Sequence, residues 1–150
     1  MRMTLMAGVC ATLAVGCASV DSRGVPAEGF NAQALKGAAL FEGKCAKCHG
    51  ALGGGTEDGP KVVGLKDGAL PLDPPPGAKK RTTQFRTMGD VARFVIKNMP
   101  GKDPGSLAEE DYFRILAFDL RANGIDLDKS FDMALADTIV IPRESPVSQH

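Results

Sequence analysis

Three stretches of the chain repeat apolar residues at the three- and four-residue spacing of an amphipathic helix. The first predicted helix covers residues 31–47, the second 89–98 and the third 107–122. This pattern predicts an all-α fold with three main helices. The residues expected on the three buried faces are Ala32, Leu35, Ala38, Ala39 and Phe41; Val91, Phe94, Val95 and Ile96; and Leu107, Tyr112, Ile115, Leu116 and Leu120.

Polar residues mark the ends of these helices. Asn31 is the expected cap of the first helix. The pair Thr87 and Asp90 has the spacing of a capping box before the second helix, and the pair Ser106 and Glu109 has it before the third. The third helix is expected to end at Asn123-Gly124, because both residues favour the backbone conformation that ends a helix.

The N-terminal segment is predicted to be a targeting signal and not part of the fold. Residues 1–17 begin with a basic residue and continue with an apolar run that is too short to span a bilayer as a mature helix. The run ends in Leu13-Ala14-Val15-Gly16-Cys17, which resembles a bacterial lipobox with Ala14 at a position where a large aliphatic residue is usual. Cys17 is therefore the expected lipidation site. The alternative is an ordinary secretory signal that is cleaved after a small residue such as Ala18.

This interpretation sets the domain boundaries and the location. Residues 18–30 are small and polar with Pro and Gly, and are predicted to be a flexible tether. The folded domain is expected at 31–124 and a C-terminal extension at 125–150, whose run Ile139-Val140-Ile141 either covers an apolar surface or pairs with a partner. We expect export to the periplasmic side and, because Ala18 follows the lipobox, a lipid anchor in the outer membrane.

The five residues Cys45-Ala46-Lys47-Cys48-His49 have the spacing of a covalent c-type haem attachment site. Two thiols separated by two residues in a helical turn project to the same side, where each can add to one vinyl group of a haem. The imidazole of His49 then lies beneath the iron as the proximal ligand. The other two cysteines, Cys10 and Cys17, fall in the targeting segment, so no thiol remains for a disulfide.

A long loop from Gly50 to Arg86 separates the first two predicted helices. It is rich in Gly and Pro and includes Pro74-Pro75-Pro76. A loop of this length is uncommon inside a small domain. We therefore expect it to pack against a large, rigid prosthetic group instead of against protein.

A low-spin electron carrier needs a second axial ligand. Met99 lies at the end of the second predicted helix and precedes Pro100-Gly101, where the turn can present its side chain. Met88 is more typical of a core residue, and Met133 and His150 lie in the C-terminal extension. Met99 is therefore the predicted distal ligand.

Charge is balanced overall, with 18 basic and 18 acidic residues, which does not favour nucleic-acid binding. Residues 61–102 contain nine Lys or Arg and three Asp or Glu, whereas residues 103–150 contain four and ten. This asymmetry is either an ordinary solvated surface or a dipole that steers redox partners. The basic residues that form a candidate docking rim before the second helix are Lys79, Lys80, Arg81 and Arg86.

From about Asn31 to Gly124 the chain resembles a class I c-type cytochrome domain. After the attachment motif come Gly59-Pro60-Lys61-Val62-Val63-Gly64-Leu65, then Asn98-Met99-Pro100, then a helix with Ala117-Phe118, in the order typical of that family. The resemblance implies the class I cytochrome c fold, with three main helices around one covalently bound haem c and its iron.

The resemblance also implies roles for individual residues. The backbone carbonyl of Pro60 accepts a hydrogen bond from the free imidazole nitrogen of His49, which orients the ring. Gly37 and Phe41 lie where the first and last helices cross closely, with Phe118 as the aromatic partner. The segment 72–86 is longer than a minimal member of the family needs.

The function predicted from this site is one-electron transfer between periplasmic or membrane redox partners. The expected partners are a donor dehydrogenase or respiratory complex and a terminal oxidase or reductase. With Met99 and His49 filling both axial positions no open site remains, so an independent enzyme is not expected. The alternatives are a haem subunit of a periplasmic dehydrogenase or oxidase complex, an enzyme or gas sensor with a vacant distal position, and a thiol redox or metal-binding protein that uses Cys45 and Cys48 directly.

Overall fold

The computed structural model describes residues 28–74 and 76–142, and this part of the chain contains helices and turns without a β-strand. The predicted all-α class is confirmed. The targeting segment with Cys17, most of the tether and His150 lie outside the described residues. The helices are α1 (Phe30–Lys44), α2 (Ala46–His49), α3 (Met88–Asn98), α4 (Glu109–Ala122) and α5 (Met133–Ala136), with 3₁₀ turns at Ala51–Gly53 and Leu65–Asp67.

Within the described ranges, no helix has both the length and the apolar character that a membrane span requires.

The start of α3 is the capping box that the sequence predicts. The side-chain oxygen of Thr87 accepts a hydrogen bond from the backbone N–H of Asp90, and the carboxylate of Asp90 accepts one from the backbone N–H of Thr87. The N–H of Arg86 donates to the same carboxylate at 2.9 Å. These backbone hydrogen bonds from Thr87 and Arg86 lower the pKa of Asp90.

Two other predicted caps are wrong. The N-cap of α1 is Gly29 without a side-chain hydrogen bond, and Asn31 lies exposed inside the helix, because α1 begins early enough to bury Phe30. The N-cap of α4 is Ala108, again without a side-chain bond, so the expected capping box from Ser106 does not form. Three acidic residues in the first turn of α4 stabilise that end through the helix dipole instead.

Helices α1 and α4 cross closely, as the resemblance implies. A Cβ atom on Gly37 would lie 1.8 Å from the backbone oxygen of Arg114, so only glycine fits at the crossing. The rings of Phe41 and Phe118 pack beside it with centroids 5.0 Å apart. The backbones of the two helices therefore touch directly at this point.

This crossing corrects the predicted buried face of α1. Leu35 is 68% exposed, and Ala32 and Ala39 are exposed as well. A close crossing places small residues in the interface, so the face that meets α4 is not the one with the largest apolar side chain. The residues of α1 that are buried are Phe30, Gln33, Ala34, Gly37 and Phe41.

The first part of the C-terminal extension covers the domain. Phe131 is 1% exposed, and its backbone N–H and C=O are hydrogen-bonded to the side chain of Gln33 on α1. Further on, Thr87 and Val140 form an isolated antiparallel bridge, and Ile141 is buried beside it. The sequence left two roles open for the Ile139–Ile141 run, and the structure shows that Ile141 covers an apolar surface. Val140 is exposed.

The long loop is organised partly by its own residues. Arg81 is buried, and its guanidinium donates to the carbonyl oxygens of Pro71, Leu72 and Thr83. The guanidinium carbon lies 3.5 Å from the centre of the Phe85 ring, in cation–π geometry. Arg81 therefore does not belong to an exposed docking rim, contrary to the prediction from sequence.

Candidate cofactor site

One helical turn brings together the three residues of the predicted attachment motif. The backbone N–H groups of Cys48 and His49 both donate to the carbonyl of Cys45, at 3.0 and 2.9 Å. Neither Cys45 nor Cys48 forms a disulfide, and both are partly exposed. The structure thus places two free thiols and an imidazole on a single turn, as the sequence predicts.

The imidazole of His49 is oriented by the backbone of the next loop. Its Nδ1 donates to the carbonyl oxygen of Pro60 at 2.7 Å, which is the contact that the resemblance implies. A proton fixed on Nδ1 leaves the lone pair of Nε2 available for a metal. The ring therefore has the tautomer and the anchoring that a haem ligand needs.

The loop after α2 folds back tightly, and this brings the Pro60 carbonyl to His49. The backbone N–H of Gly55 donates to the carbonyl of His49 at 2.6 Å, and the hydroxyl of Thr56 donates to the carbonyl of Cys48. Gly59 packs so closely that a Cβ atom there would lie 2.6 Å from the Cys48 oxygen. The glycine before Pro60 is thus a steric requirement for the His49 contact.

Asn123 fixes the continuation of this loop to α4. Its side-chain oxygen accepts hydrogen bonds from the backbone N–H groups of Gly64 and Leu65 at 2.8 and 3.1 Å. Its side-chain nitrogen donates to the carbonyl of Val62 at 3.0 Å. The sequence assigns Asn123 only the end of a helix, and the structure adds this bridge.

Met99 lies at the C-terminal end of α3, where the helix stops before Pro100. The buried hydroxyl of Tyr112 on α4 donates to the carbonyl oxygen of Met99 at 2.6 Å, and the backbone N–H of Gly105 donates to the same atom at 3.2 Å. The backbone of Met99 is therefore fixed, while the residue stays partly exposed. The sequence places Tyr112 on an apolar face and does not reveal this hydrogen bond.

The other candidate ligands have different surroundings. Met88 is 2% exposed and belongs to the hydrophobic core, in agreement with the prediction for it. Met133 begins α5 and packs against the same core.

Electrostatics argue against a dithiol redox site. Burial, followed by the nearby carboxylate of Asp119 and the thiol of Cys48, raises the pKa of Cys45 to about 11. A dithiol oxidoreductase needs a thiol with a lowered pKa, because the thiolate is the reactive species. Within residues 28–74 and 76–142, no group of three or more His, Cys, Asp or Glu side chains could hold a metal ion.

These residues fit a covalently bound haem. Two free thiols project from the turn that carries His49, whose Nδ1 is already hydrogen-bonded. The thiols can form thioethers, and the free Nε2 can bind the iron. Asp119 on α4 is a further buried residue near Cys45 that sequence reasoning missed. Its spacing of three and four residues from Leu116 and Ile115 was the signal that could have placed it on the buried face.

Comparisons with known proteins agree with this geometry. The family described as cytochrome C oxidase, cbb3-type, subunit III, matches residues 32–118. Among solved structures, the sulfane dehydrogenase SoxCD from Paracoccus pantotrophus is similar, with 27% sequence identity and a TM-score of 0.54. The match covers 73% of this chain and 53% of that chain. A search of curated protein sequences found no match.

The family match spans more than half of the chain and includes the attachment motif. The helices, the close crossing at Gly37 and the contact between His49 and Pro60 accord with it. The protein therefore belongs to this cbb3-type subunit III family and is a class I mono-haem c-type cytochrome that binds one haem c covalently.

Proposed function

We propose that the protein transfers single electrons between redox proteins through a haem with histidine and methionine as axial ligands. Cys45 and Cys48 attach the haem, His49 is the proximal ligand and Met99 the distal ligand. The observation that carries the proposal is the hydrogen bond from Nδ1 of His49 to Pro60, because it prepares the opposite ring nitrogen for iron. When bound, the haem supplies the one-electron couple.

The protein residues hold and tune this group. The Pro60 carbonyl makes His49 a stronger donor, and the fixed backbone of Met99 presents a soft sulfur ligand that favours reduced iron and raises the potential. Burial of the bound ring among apolar residues would act in the same direction, since apolar surroundings solvate the extra charge of the oxidised state poorly. A site with two protein ligands leaves no position for a substrate.

The distal ligand is tested by spectroscopy of the oxidised holoprotein. Methionine–iron bonding gives a weak band near the far-red edge of the visible spectrum, and we expect Met99→Leu to abolish it. Met88→Leu is the matched control, because it also replaces a methionine sulfur at similar side-chain volume. Loss of the band in Met88→Leu with retention in Met99→Leu would refute the assignment. High-spin reduced iron that binds carbon monoxide readily in the unmodified protein would favour a sensor or enzyme instead.

A second candidate is the electron-transfer subunit of a dehydrogenase complex. The similarity to the sulfane dehydrogenase SoxCD supports it, with 73% of this chain covered. The chemistry at the haem is the same, and only the partnership differs. Co-purification of a stoichiometric catalytic subunit in mild detergent is the expected result for this candidate, and isolation of the cytochrome alone is expected for a free carrier.

We also propose that the protein is exported to the periplasmic side and anchored to the outer membrane by lipid on Cys17. The apolar run with a terminal cysteine in residues 1–17 supports this. Metabolic labelling with a radioactive fatty acid should mark the protein, and Cys17→Ala should abolish the label. Label that persists in Cys17→Ala contradicts lipidation at this position.

A further inference from the structure

Asp119 is a buried acid that the proposed electron transfer does not use. The residue is 6% exposed, and within the described residues its Oδ1 has no hydrogen-bond partner. Its side chain lines a cavity of about 10 Å³ together with Leu65, Met88 and Ile141. The cavity is about large enough for one water molecule. The other lining residues are apolar except Asn123, whose side chain is hydrogen-bonded to the backbone of Gly64 and Val62. The cavity therefore offers the Oδ1 atom of Asp119 at most a single water.

Asp119 on α4 is close enough to the attachment motif to act electrostatically on its first cysteine. Its negative charge acts on the thiol of Cys45, which the proposed function assigns to a thioether of the haem. The neighbouring Phe118 packs on Phe41 of α1, and Leu65 follows Pro60 in the loop that orients His49. The carboxyl group and the haem attachment therefore share one region of the core.

We propose that Asp119 accepts a proton when the haem is reduced and releases it when the haem is oxidised. This inference rests on the proposed electron transfer. One electron arrives from the redox partner protein, and one proton from water forms an O–H bond on the Asp119 carboxylate. Both leave when the acceptor is reduced, so the net charge of the region stays constant through the cycle.

The physical reason is the cost of isolated charge in a poorly solvated region. Oxidised haem carries one more positive charge, which a nearby carboxylate offsets. After reduction that charge is gone, and the buried carboxylate is costly until it is protonated. Desolvation by burial raises the pKa of Asp119 well above its ordinary value of 3.8. The carboxyl group therefore gains and loses its proton at a pH well above 3.8.

Few other charged groups of the described chain adjoin Asp119. From the end of α1, Cys45 is the group whose charge it affects. Lys66 and Asp67 lie exposed in the 3₁₀ turn that contributes Leu65 to the cavity. From α3 and the extension come Met88 and Ile141, which do not titrate. Asp119 is thus the buried acid through which redox state and pH can be coupled here.

The test is the reduction potential of the holoprotein as a function of pH. The carboxyl group of Asp119 has one pKa when the haem is oxidised and a higher pKa when the haem is reduced. Between these two values the potential of the unmodified protein should fall as pH rises, by up to about 59 mV for each tenfold drop in proton concentration. In Asp119→Asn this pH-dependent part should vanish, with the potential held at the value that the unmodified protein reaches at low pH. Asparagine has the size of aspartate, but it carries no charge.

Glu109→Gln is the matched control, because it removes one negative charge from an exposed position on the same helix. It should retain the pH dependence of the unmodified protein. The proposal is overturned if the reduction potential of Asp119→Asn depends on pH as that of the unmodified protein does. It is also overturned if the reduction potential of the unmodified protein does not depend on pH. A reversible one-electron couple with the far-red band intact in either case shows that the failure lies with Asp119 and not with the proposed electron transfer.

A second measurement needs no variant. The infrared difference spectrum between the reduced and oxidised holoprotein should contain the C=O stretch of a protonated carboxylic acid that is present only after reduction. The band should shift in heavy water, because the acidic proton exchanges. A difference spectrum without this band overturns the proposal even if Asp119→Asn does not fold.

Discussion

At the scale of single residues, the site depends on backbone atoms that side chains hold in place. The carbonyl of Pro60 orients His49, and the carbonyl of Met99 is fixed by Tyr112. Neither carbonyl can be altered directly by substitution. Their positions depend on neighbours such as Gly59, whose missing side chain lets the loop approach α2.

Gly59→Ala should therefore raise the reduction potential. The added Cβ would lie 2.6 Å from the Cys48 oxygen, so the loop must move and the hydrogen bond from His49 to Pro60 must lengthen. A less strongly hydrogen-bonded imidazole is a weaker donor and stabilises oxidised iron less. Electrochemistry of the purified holoprotein measures the shift.

Gly54→Ala is the control for this prediction. Its backbone φ is −72°, and the nearest atom to an added Cβ is 3.7 Å away, so the loop can accept alanine in place. We expect the potential of Gly54→Ala to equal that of the unmodified protein. Equal potentials in Gly59→Ala and Gly54→Ala would contradict a role for the Pro60 contact.

The attachment motif could be predicted because the Cys-x-x-Cys-His spacing is local and specific. The supporting residues could not be. Asn123 bonds to Gly64, which lies 59 positions away, and nothing in the sequence pairs the two. Tyr112 fits an apolar helical face by periodicity, and its hydroxyl finds a carbonyl that only the packing of α3 on α4 brings near.

At the scale of elements, the sequence predicts which segments are helical better than which face is buried. The end of the second predicted helix and the end of the third agree with α3 and α4. The buried face of α1 is wrong because hydrophobic periodicity favours Leu35, whereas the close crossing requires Gly37. A glycine contributes little to a hydrophobic pattern, so only the resemblance identified the crossing point.

Gly37→Ala should destabilise the protein by about 3 kcal/mol, near the upper end of the usual cost of overpacking. The added methyl would meet the backbone of Arg114 at 1.8 Å, and a helix backbone cannot rotate away as a side chain can. Chemical denaturation of the holoprotein, followed by circular dichroism, measures the change in the free energy of unfolding.

Gly43→Ala provides a comparison within the same helix. No atom lies within 4 Å of the added Cβ, and the residue is exposed. Alanine there should stabilise the helix by roughly 0.5–1 kcal/mol, because glycine is a poor helix former. If Gly37→Ala is as stable as Gly43→Ala, α1 and α4 do not cross as described.

At the scale of the whole molecule, the described part of the extension belongs to the folded unit. Phe131 and Ile141 are buried in the same core as residues of α3 and α4. The sequence left the purpose of this segment open because an apolar run can serve a core or a partner equally well. In the run Ile139–Ile141, Ile141 is buried in the core, whereas Val140 points to the opposite side and is exposed.

Without the buried Arg81, the predicted docking rim consists of the exposed Lys79, Lys80 and Arg86. The basic patch is defined here as its two adjacent lysines, Lys79 and Lys80. If this patch guides an acidic redox partner, electron transfer should slow as ionic strength rises, and Lys79→Ala combined with Lys80→Ala should weaken that dependence. The measurement is the second-order rate of reduction by a partner at several salt concentrations. Lys129→Ala, an exposed lysine in the acidic C-terminal part, is the control.

A rate that does not change with ionic strength would contradict electrostatic guidance. A salt dependence that Lys129→Ala weakens as much as the double variant would place the charged contact elsewhere on the molecule.

Every role assigned to the site depends on one haem being bound covalently through Cys45 and Cys48. Intact mass spectrometry of the denatured protein, produced in a host with a working cytochrome maturation system, tests it most directly. We expect a chain heavier by one haem, and we expect the double variant Cys45→Ala, Cys48→Ala to lack that addition. A polypeptide of unmodified mass from such a host would show that no haem is attached covalently.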